Sequence, residues 1–265
     1  MIENEGNSCY LNVIVQILHS IPEFRTAITT CLPTLHRLMS SNSKKVSLYE
    51  LIEELGLETR TQMDISEVLY KHIIPLFEKE RCLDLVNGNY VKNRDCPKCN
   101  ELTCMEENFI IMPLHKDPMN EGMLTNYLND ILFGKCMEQH HSQCAFCKNN
   151  VKKTTYNTLV NLPKYLWLYD MSSVINENQK ARGHWAYEEK MNLGEYDYDL
   201  LAVVYHFGRG TKGHYTVSLT TNGKDIYNFD DDKVTWQENF HAIHFSRNGN
   251  TRVTTKPVFF VYRQN

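Results

Sequence analysis

Two Cys-x-x-Cys pairs constrain the fold of this chain more than any other feature. Cys96-Pro97-Lys98-Cys99 and Cys144-Ala145-Phe146-Cys147 are separated by residues 100–143, 44 residues in all. Two such knuckles offer four thiolates to one tetrahedral zinc ion. One ion can take all four only if the turns meet, so the intervening chain must leave and return as a long excursion. Cys104 and Cys136 lie within it as spare thiols, and His140 and His141 compete as ligands. No thioredoxin-like strand–helix–strand pattern surrounds either pair, which argues against a redox dithiol. The nine cysteines are an odd number. With four of them in knuckles, they point to a structural metal in a reducing compartment, not to a disulfide framework.

At 265 residues the chain can bury a substantial core, and no linker or repeat divides it. A net charge of −4 gives no basic surface for nucleic acid. No run approaches the roughly 18 apolar residues of a membrane span. Acids, not a basic segment, precede the first apolar run, so no signal peptide is expected. Residues 23–60 read as helical and mixed, residues 88–160 alternate as strands do, and residues 158 onward are mostly strand. Residues 170–195 read as an irregular insert, and Phe207-Gly208-Arg209-Gly210-Thr211-Lys212-Gly213 as a permissive, mobile loop.

The chemistry begins at the other end of the chain. Gly6-Asn7-Ser8 runs into Cys9, and an apolar series follows through Tyr10, Leu11, Val13, Ile14, Val15, Ile17 and Leu18. Asn7 and Ser8 are good N-cap residues, so a buried helix should begin at or just before Cys9 and end before Pro22. Free N–H groups and the macrodipole at a helix start favour an anion there, which suits a nucleophilic sulfur. A lone cysteine is more often a small buried hydrophobe, so the assignment needs a partner base.

Downstream, Ile65, Val68, Leu69 and His72 share one face of a helix that Pro75 should end. Asp64 and Glu67, three apart, are neighbours on its surface. They are either a solvated first turn or a docking point for a basic peptide.

The partner base lies after the glycine-rich stretch. His214 opens the alternating segment Tyr215-Thr216-Val217-Ser218-Leu219-Thr220, Asn222-Gly223 signals a hairpin, and Ile226 to Asp230 is the return strand. A two-residue loop would set His214 against Asp231. A three-residue loop over Asn222, Gly223 and Lys224 pairs Val217 with Phe229 and Leu219 with Tyr227, and apolar pairs favour it. Asp230 then stands opposite Thr216, on the face of His214 and diagonal to it. Cysteine, histidine and aspartate together make a nucleophile, its base and the group that orients the base.

At this point the sequence closely resembles the ubiquitin-specific proteases, a family of papain-like cysteine deubiquitinases. Asn4 to Asn12, with Gln16 and Leu18, is similar to that family's cysteine box. Gln62-Met63-Asp64 with Ser66-Glu67-Val68-Leu69 resembles its glutamine–aspartate box. Tyr198 to Val204, His206, Gly208 and Gly213 to Val217 resemble its histidine box, and Tyr227 to Val234 the segment of its third triad member. Ser8, Met63, Val68 and Tyr169-Asp170-Met171 depart from the usual residues.

The resemblance implies an α+β fold in one domain over 1–265. Its parts are a helical thumb over about 1–87, zinc-ribbon fingers over 88–158 and an antiparallel β palm over 159–265. It implies hydrolysis of the bond after the C-terminal glycine of ubiquitin by Cys9, His214 and Asp230, with the Asn4 amide in the oxyanion hole. Asp64, Glu67, Gly213 and Tyr215 would line the path of the ubiquitin tail. Residues 207–213, and a segment within 170–195, would be blocking loops. Cys96, Cys99, Cys144 and Cys147 would hold structural zinc. The implied partners are ubiquitin and ubiquitinated proteins, with room for an activating protein, in the cytoplasm or nucleus. The competing readings are a deconjugase of another ubiquitin-like modifier, a catalytically silent ubiquitin-binding scaffold, and a zinc-ribbon nucleic-acid binder.

Overall fold

The computed structural model describes residues 2–40, 46–58, 60–79, 82–115, 123–133, 137–171, 185–209, 212–240 and 255–265. Its first third is helical: α1 (Cys9–Ser20), α2 (Pro22–Cys31), α3 (Pro33–Met39), α4 (Tyr49–Glu54), α5 (Ile65–Val68) and α6 (Ile74–Lys79). α1 is apolar nearly all round and accordingly buried from Cys9 to Val15 and at Ile17 and Leu18. It ends where Ile21 turns extended, and Pro22 starts α2 at once.

The expected stop at Pro75 does not occur. The chain widens into a π-helical turn over Leu69–Ile73 and continues as α6, with Pro75 in its first turn. The Ile74 N–H reaches back to Leu69 O, so the ladder has already changed register where the missing proline N–H would have broken it.

The remaining elements are β1 (Gly88–Asp95), β2 (Leu102–Phe109), β3 (Ile111–Leu114), α7 (Leu124–Leu132), β4 (Glu138–Gln143), β5 (Asn150–Asn161), β6 (Tyr165–Asp170), β7 (Lys190–Leu193), β8 (Tyr196–Arg209), β9 (Lys212–Thr220), β10 (Ile226–Asp230), β11 (Lys233–Gln237) and β12 (Thr255–Gln264). A four-stranded sheet has the order β2-β1-β5-β4, and an eight-stranded sheet runs β11-β10-β9-β8-β12-β6-β3 with β7 added against β8. The pairs are antiparallel except β3 with β6.

Three sequence expectations are corrected here. α7 lies in a stretch read as strands, although Leu124, Leu128 and Leu132 repeat every four residues and are fully buried. The stretch 170–195 is not wholly irregular, since Lys190–Leu193 is a strand; residues 172–184 lie outside the described ones. The glycine-rich stretch mostly extends the hairpin, with Gly208 opposite Gly213 and Arg209 opposite Lys212; residues 210 and 211 lie outside the described ones.

The large sheet is covered on both faces, which is why its central strands read as continuous apolar runs instead of alternating. Val204, Val217, Trp167, Phe259 and Val261 face the helices of the first third. Val203, Leu166, Leu168, Phe260 and Tyr262 face α7 and the Trp185–Tyr187 segment. Phe24 stacks on Phe77 at 4.7 Å and meets Trp167 edge-on at 5.9 Å. Such pairs add about 0.5–1.5 kcal/mol each beyond their burial and help fix the helical layer on the sheet. Among the described residues the four-stranded sheet joins an apolar cluster only at its near end, through Phe109, Tyr90 and Leu159. Toward its far end the buried residues are Asn93, Thr155, Cys96 and Cys144.

Candidate active site

Gly6 and Asn7 take left-handed backbone in succession, with φ of 81° and 66°, and turn the chain into α1. Asn7 steadies the turn by donating from Nδ2 to Arg60 O at 2.7 Å. Ser8 occupies the N-cap position as expected, but its hydroxyl makes no bond to the helix amides. It accepts from the Glu5 N–H at 2.9 Å and lies 3.4 Å from Asn4 Oδ1. The same Asn4 oxygen accepts from the N–H groups of Gly6 and Ser8. Cys9 is thus the first residue of α1, only 2% exposed, at the end of a turn tied together by Asn4.

The β9–β10 hairpin has the register that apolar pairing favours. Leu219 faces Tyr227 and Val217 faces Phe229, and Asn222 closes the turn by accepting from Lys224 N and Asp225 N. That register carries Asp230 to His214, whose Nε2 lies 2.6 Å from Asp230 Oδ1. The Cys9 thiol is near enough to the same ring to act on its charge. These contacts hold the imidazole in its charged form: the Asp230 bond first and then Cys9 raise His214 to about 10, against the opposing effect of burial. Reciprocally, the bond from His214 lowers Asp230 despite desolvation.

Asp231, the alternative from the rejected register, has a different place. It sits at φ 51° in the two-residue turn between β10 and β11, with its Oδ2 3.9 Å from His214 Nε2. Its carboxylate accepts from Asn4 Nδ2 at 2.8 Å and Asn12 Nδ2 at 2.6 Å. It therefore ties the turn beside the imidazole to the turn before Cys9 and to the second helical turn of α1. Sequence reading passed over this role, because strand register ranks Asp231 only as a loser to Asp230.

Asp64 and Glu67 are placed apart in function. Asp64 is the N-cap of α5, its Oδ1 accepting from Ser66 N at 2.8 Å, Glu67 N at 3.4 Å and the Ser66 hydroxyl at 2.5 Å. Its Oδ2 accepts from the Tyr169 hydroxyl at 2.5 Å, and its charge helps to raise Tyr215 on β9 after burial. Asp64 thus bolts the helical layer to β6, which sequence spacing had no means of indicating. Glu67 is exposed and pairs with Lys71. Gly213 packs too tightly for any side chain: an added Cβ would lie 2.2 Å from Phe207 O and 2.4 Å from His206 Nε2. Its N–H donates to Gln62 Oε1 at 3.0 Å, a second link between helices and sheet.

The two cysteine pairs meet at the far end of the four-stranded sheet. All four sulfurs lie within 4.8 Å of one another, with Cys96 and Cys147 3.9 Å apart and Cys99 and Cys144 3.7 Å apart. The knuckles are alike: Asn100 N bonds to Cys96 O and Lys148 N to Cys144 O, and Asn100 and Lys148 both have positive φ. Four thiolates at about 2.3 Å from one tetrahedral ion would be about 3.8 Å apart, so the cluster could hold a metal ion. His140 contacts Thr155 and stands outside the cluster, as do His141 and Cys104; Cys136 lies outside the described residues.

Among the described residues no helix is long and apolar enough to cross a membrane. The chain is similar to human ubiquitin carboxyl-terminal hydrolase 40, 23% identical over 271 residues, which cover 82% of this chain and 22% of that protein. It is likewise similar to the mouse protein of the same name, and to ubiquitin carboxyl-terminal hydrolase 4 of Arabidopsis thaliana, 23% identical over 88% of this chain and 83% of that protein. It spans only about a fifth of the human and mouse relatives. The sequence profile described as ubiquitin carboxyl-terminal hydrolase matches residues 2–262, so the chain belongs to that family.

Proposed function

We propose that this chain is a thiol-dependent deubiquitinase that cleaves the isopeptide or peptide bond after the C-terminal glycine of ubiquitin. The observation that carries the reading is a His214 ring bonded to Asp230 and influenced by Cys9, which opens a buried helix, in a chain of this family. The Cys9 sulfur attacks the glycine carbonyl, and the oxyanion takes an N–H from Asn4, whose amide nitrogen is held by Asp231. The intermediate collapses as His214 gives its proton to the leaving amine, and a thioester remains on Cys9. Water, deprotonated by His214, then releases the ubiquitin carboxylate and the thiol. Gly213 and Tyr215 line the seam between helices and sheet that leads to Cys9. Asp64 acts there as a wall fastening, and exposed Glu67 is the carboxylate that would exchange Lys71 for a basic tail residue.

Ubiquitin bearing a C-terminal thiol-reactive group tests this directly. A covalent adduct is expected with the wild-type protein and none with Cys9→Ala. An adduct with a related modifier alone would keep the chemistry and change the substrate. Folded protein that reacts with none would overturn the enzymatic reading in favour of a scaffold.

In this reading the parts are thumb, fingers and palm, with β3 and α7 assigned to the palm, since β3 pairs with β6 and α7 packs in the same cluster as β6 and β12. Zinc is the ion proposed for the four cysteines, as a clamp at an end of the fingers where, among the described residues, no apolar cluster forms. The prediction is one zinc per chain by metal analysis. Chelation should open residues 96–150 to protease, with the remainder still folded; a zinc-free protein with equal resistance would remove the clamp from the account. A four-thiolate cluster suits a reducing, intracellular setting.

A further inference from the structure

We propose that Ser218, Asn228 and Gln237 form a polar clamp across β9, β10 and β11 that positions Asp230 against His214. The proposal rests on the function given above, and all three act through Asp230, as positioning residues. The paired ladder between β9 and β10 runs from Ile226–Thr220 to Phe229–Val217 and ends there, one residue short of Asp230. Asp230 therefore reaches His214 from beyond the last backbone pair that joins the two strands. Its own pair is Lys233 on β11, the outermost strand of the sheet. That pair ties Asp230 to the outer hairpin and not to β9. Its reach toward the imidazole thus depends on how firmly β10 is held to β9 just behind it.

Asn228 lies two residues before Asp230 and directly opposite Ser218. Its Nδ2 donates to Ser218 Oγ at 3.2 Å, and the same hydroxyl donates to Gln237 Oε1 on β11 at 2.8 Å. One hydroxyl carries one proton and two lone pairs, so it can serve an amide on each neighbouring strand at once. Ser218 is fully buried, whereas Asn228 and Gln237 are half-buried. Across to β8 it pairs with Val203, which belongs to the apolar cluster on the side of the sheet away from α1. A hydroxyl left unpaired in that setting loses its hydration with nothing in return.

The clamp excludes what apolar pairing tolerates. Val217–Phe229 and Leu219–Tyr227 reject a slip of one residue, because it would turn a whole strand over. A slip of two keeps every face and sets either Ile226 or Asp230 opposite Ser218. Ile226 would strand the buried hydroxyl, and Asp230 in that place would be withdrawn from His214. The hydroxyl meets both amides in the register where the 2.6 Å contact between Asp230 and His214 forms.

Two substitutions test the clamp. Ser218→Ala removes the shared hydroxyl, and Asn228→Ala removes the link from β10. Each is expected to lower kcat on a ubiquitin C-terminal fluorogenic amide by about 10-fold, with KM within about twofold of wild type. The titratable groups acting on the His214 ring are Asp230, Cys9 and Asp231, with His206 beyond, and Asp230 is the contact that the clamp controls. The His214 titration midpoint, followed by NMR without substrate, should therefore fall by about one pH unit in both variants. The double variant should be no worse than the poorer single one, since both break one device. A lowered melting temperature with kcat and midpoint as in wild type would make the three residues merely structural and overturn the proposal. A rise in KM alone overturns it as well. If Ser218→Ala fails to fold, Asn228→Ala decides. A wild-type protein inert to every ubiquitin amide overturns the function beneath, and the His214 midpoint then judges the clamp by itself.

Discussion

His214→Ala should lower kcat/KM on ubiquitin amides by at least about 1,000-fold, because in the proposed mechanism one ring both activates the sulfur and protonates the leaving amine. The more informative variant is Asp230→Asn. The contact at 2.6 Å makes Asp230 the largest influence raising His214 to about 10. Imidazolium is needed for the leaving group and is lost as pH rises through the folded value. The wild-type rate should therefore hold through the mildly alkaline range and fall only near pH 10. In Asp230→Asn the alkaline limb should move down toward the ordinary histidine value of about 6.5, with a loss of about 100-fold near neutrality. Both are read from pH profiles of kcat/KM. An alkaline limb that stays in place would show that Asp230 does not govern His214.

Asp231→Ala is expected to cost about 100- to 1,000-fold in kcat, comparable with removal of an oxyanion donor. Its carboxylate holds the amides of Asn4 and Asn12 at 2.8 and 2.6 Å, and it reaches His214 only at 3.9 Å. The loss should thus come through Asn4 and leave the alkaline limb nearly where it was, unlike that of Asp230→Asn. Asn12 is 3% exposed, so stripping its amide of a charged acceptor should also destabilise the fold by about 1–3 kcal/mol. The double variant Asn4→Ala/Asp231→Ala should be no worse than the poorer single one, since both remove the same donor. Additive losses would sever Asp231 from Asn4 and demand another role for it.

The two adjacent aspartates divide the labour by strand geometry. Asp230 ends β10 on the face of His214, whereas Asp231 begins the turn and points to the loop before α1. A shift of one residue in the hairpin would exchange them. The apolar pairs Val217–Phe229 and Leu219–Tyr227 therefore decide which carboxylate meets the imidazole, from well outside the site.

Much of this protein was legible in one dimension, because its signals are local. The apolar run after Cys9 announces a buried helix, alternation from Tyr215 to Thr220 announces a strand, and cross-strand pairing selects the register that delivers Asp230. Paired knuckles announce a thiolate cluster, whatever lies between them. The errors also have local causes. Gly213 read as freedom, yet it serves close packing, with backbone and a histidine ring where a Cβ would sit. Pro75 read as a stop, yet a widened turn absorbs it. Asp64 read as a surface acid, yet the Tyr169 hydroxyl from β6 fills its second oxygen. The sequence by itself determined the helix start, the hairpin register and the cysteine turns, since each depends on neighbours along the chain. Only the tertiary structure decided what Asp231, Asp64, Gln62 and His206 touch, because their partners lie on other elements and pairing across a seam leaves no periodicity to read.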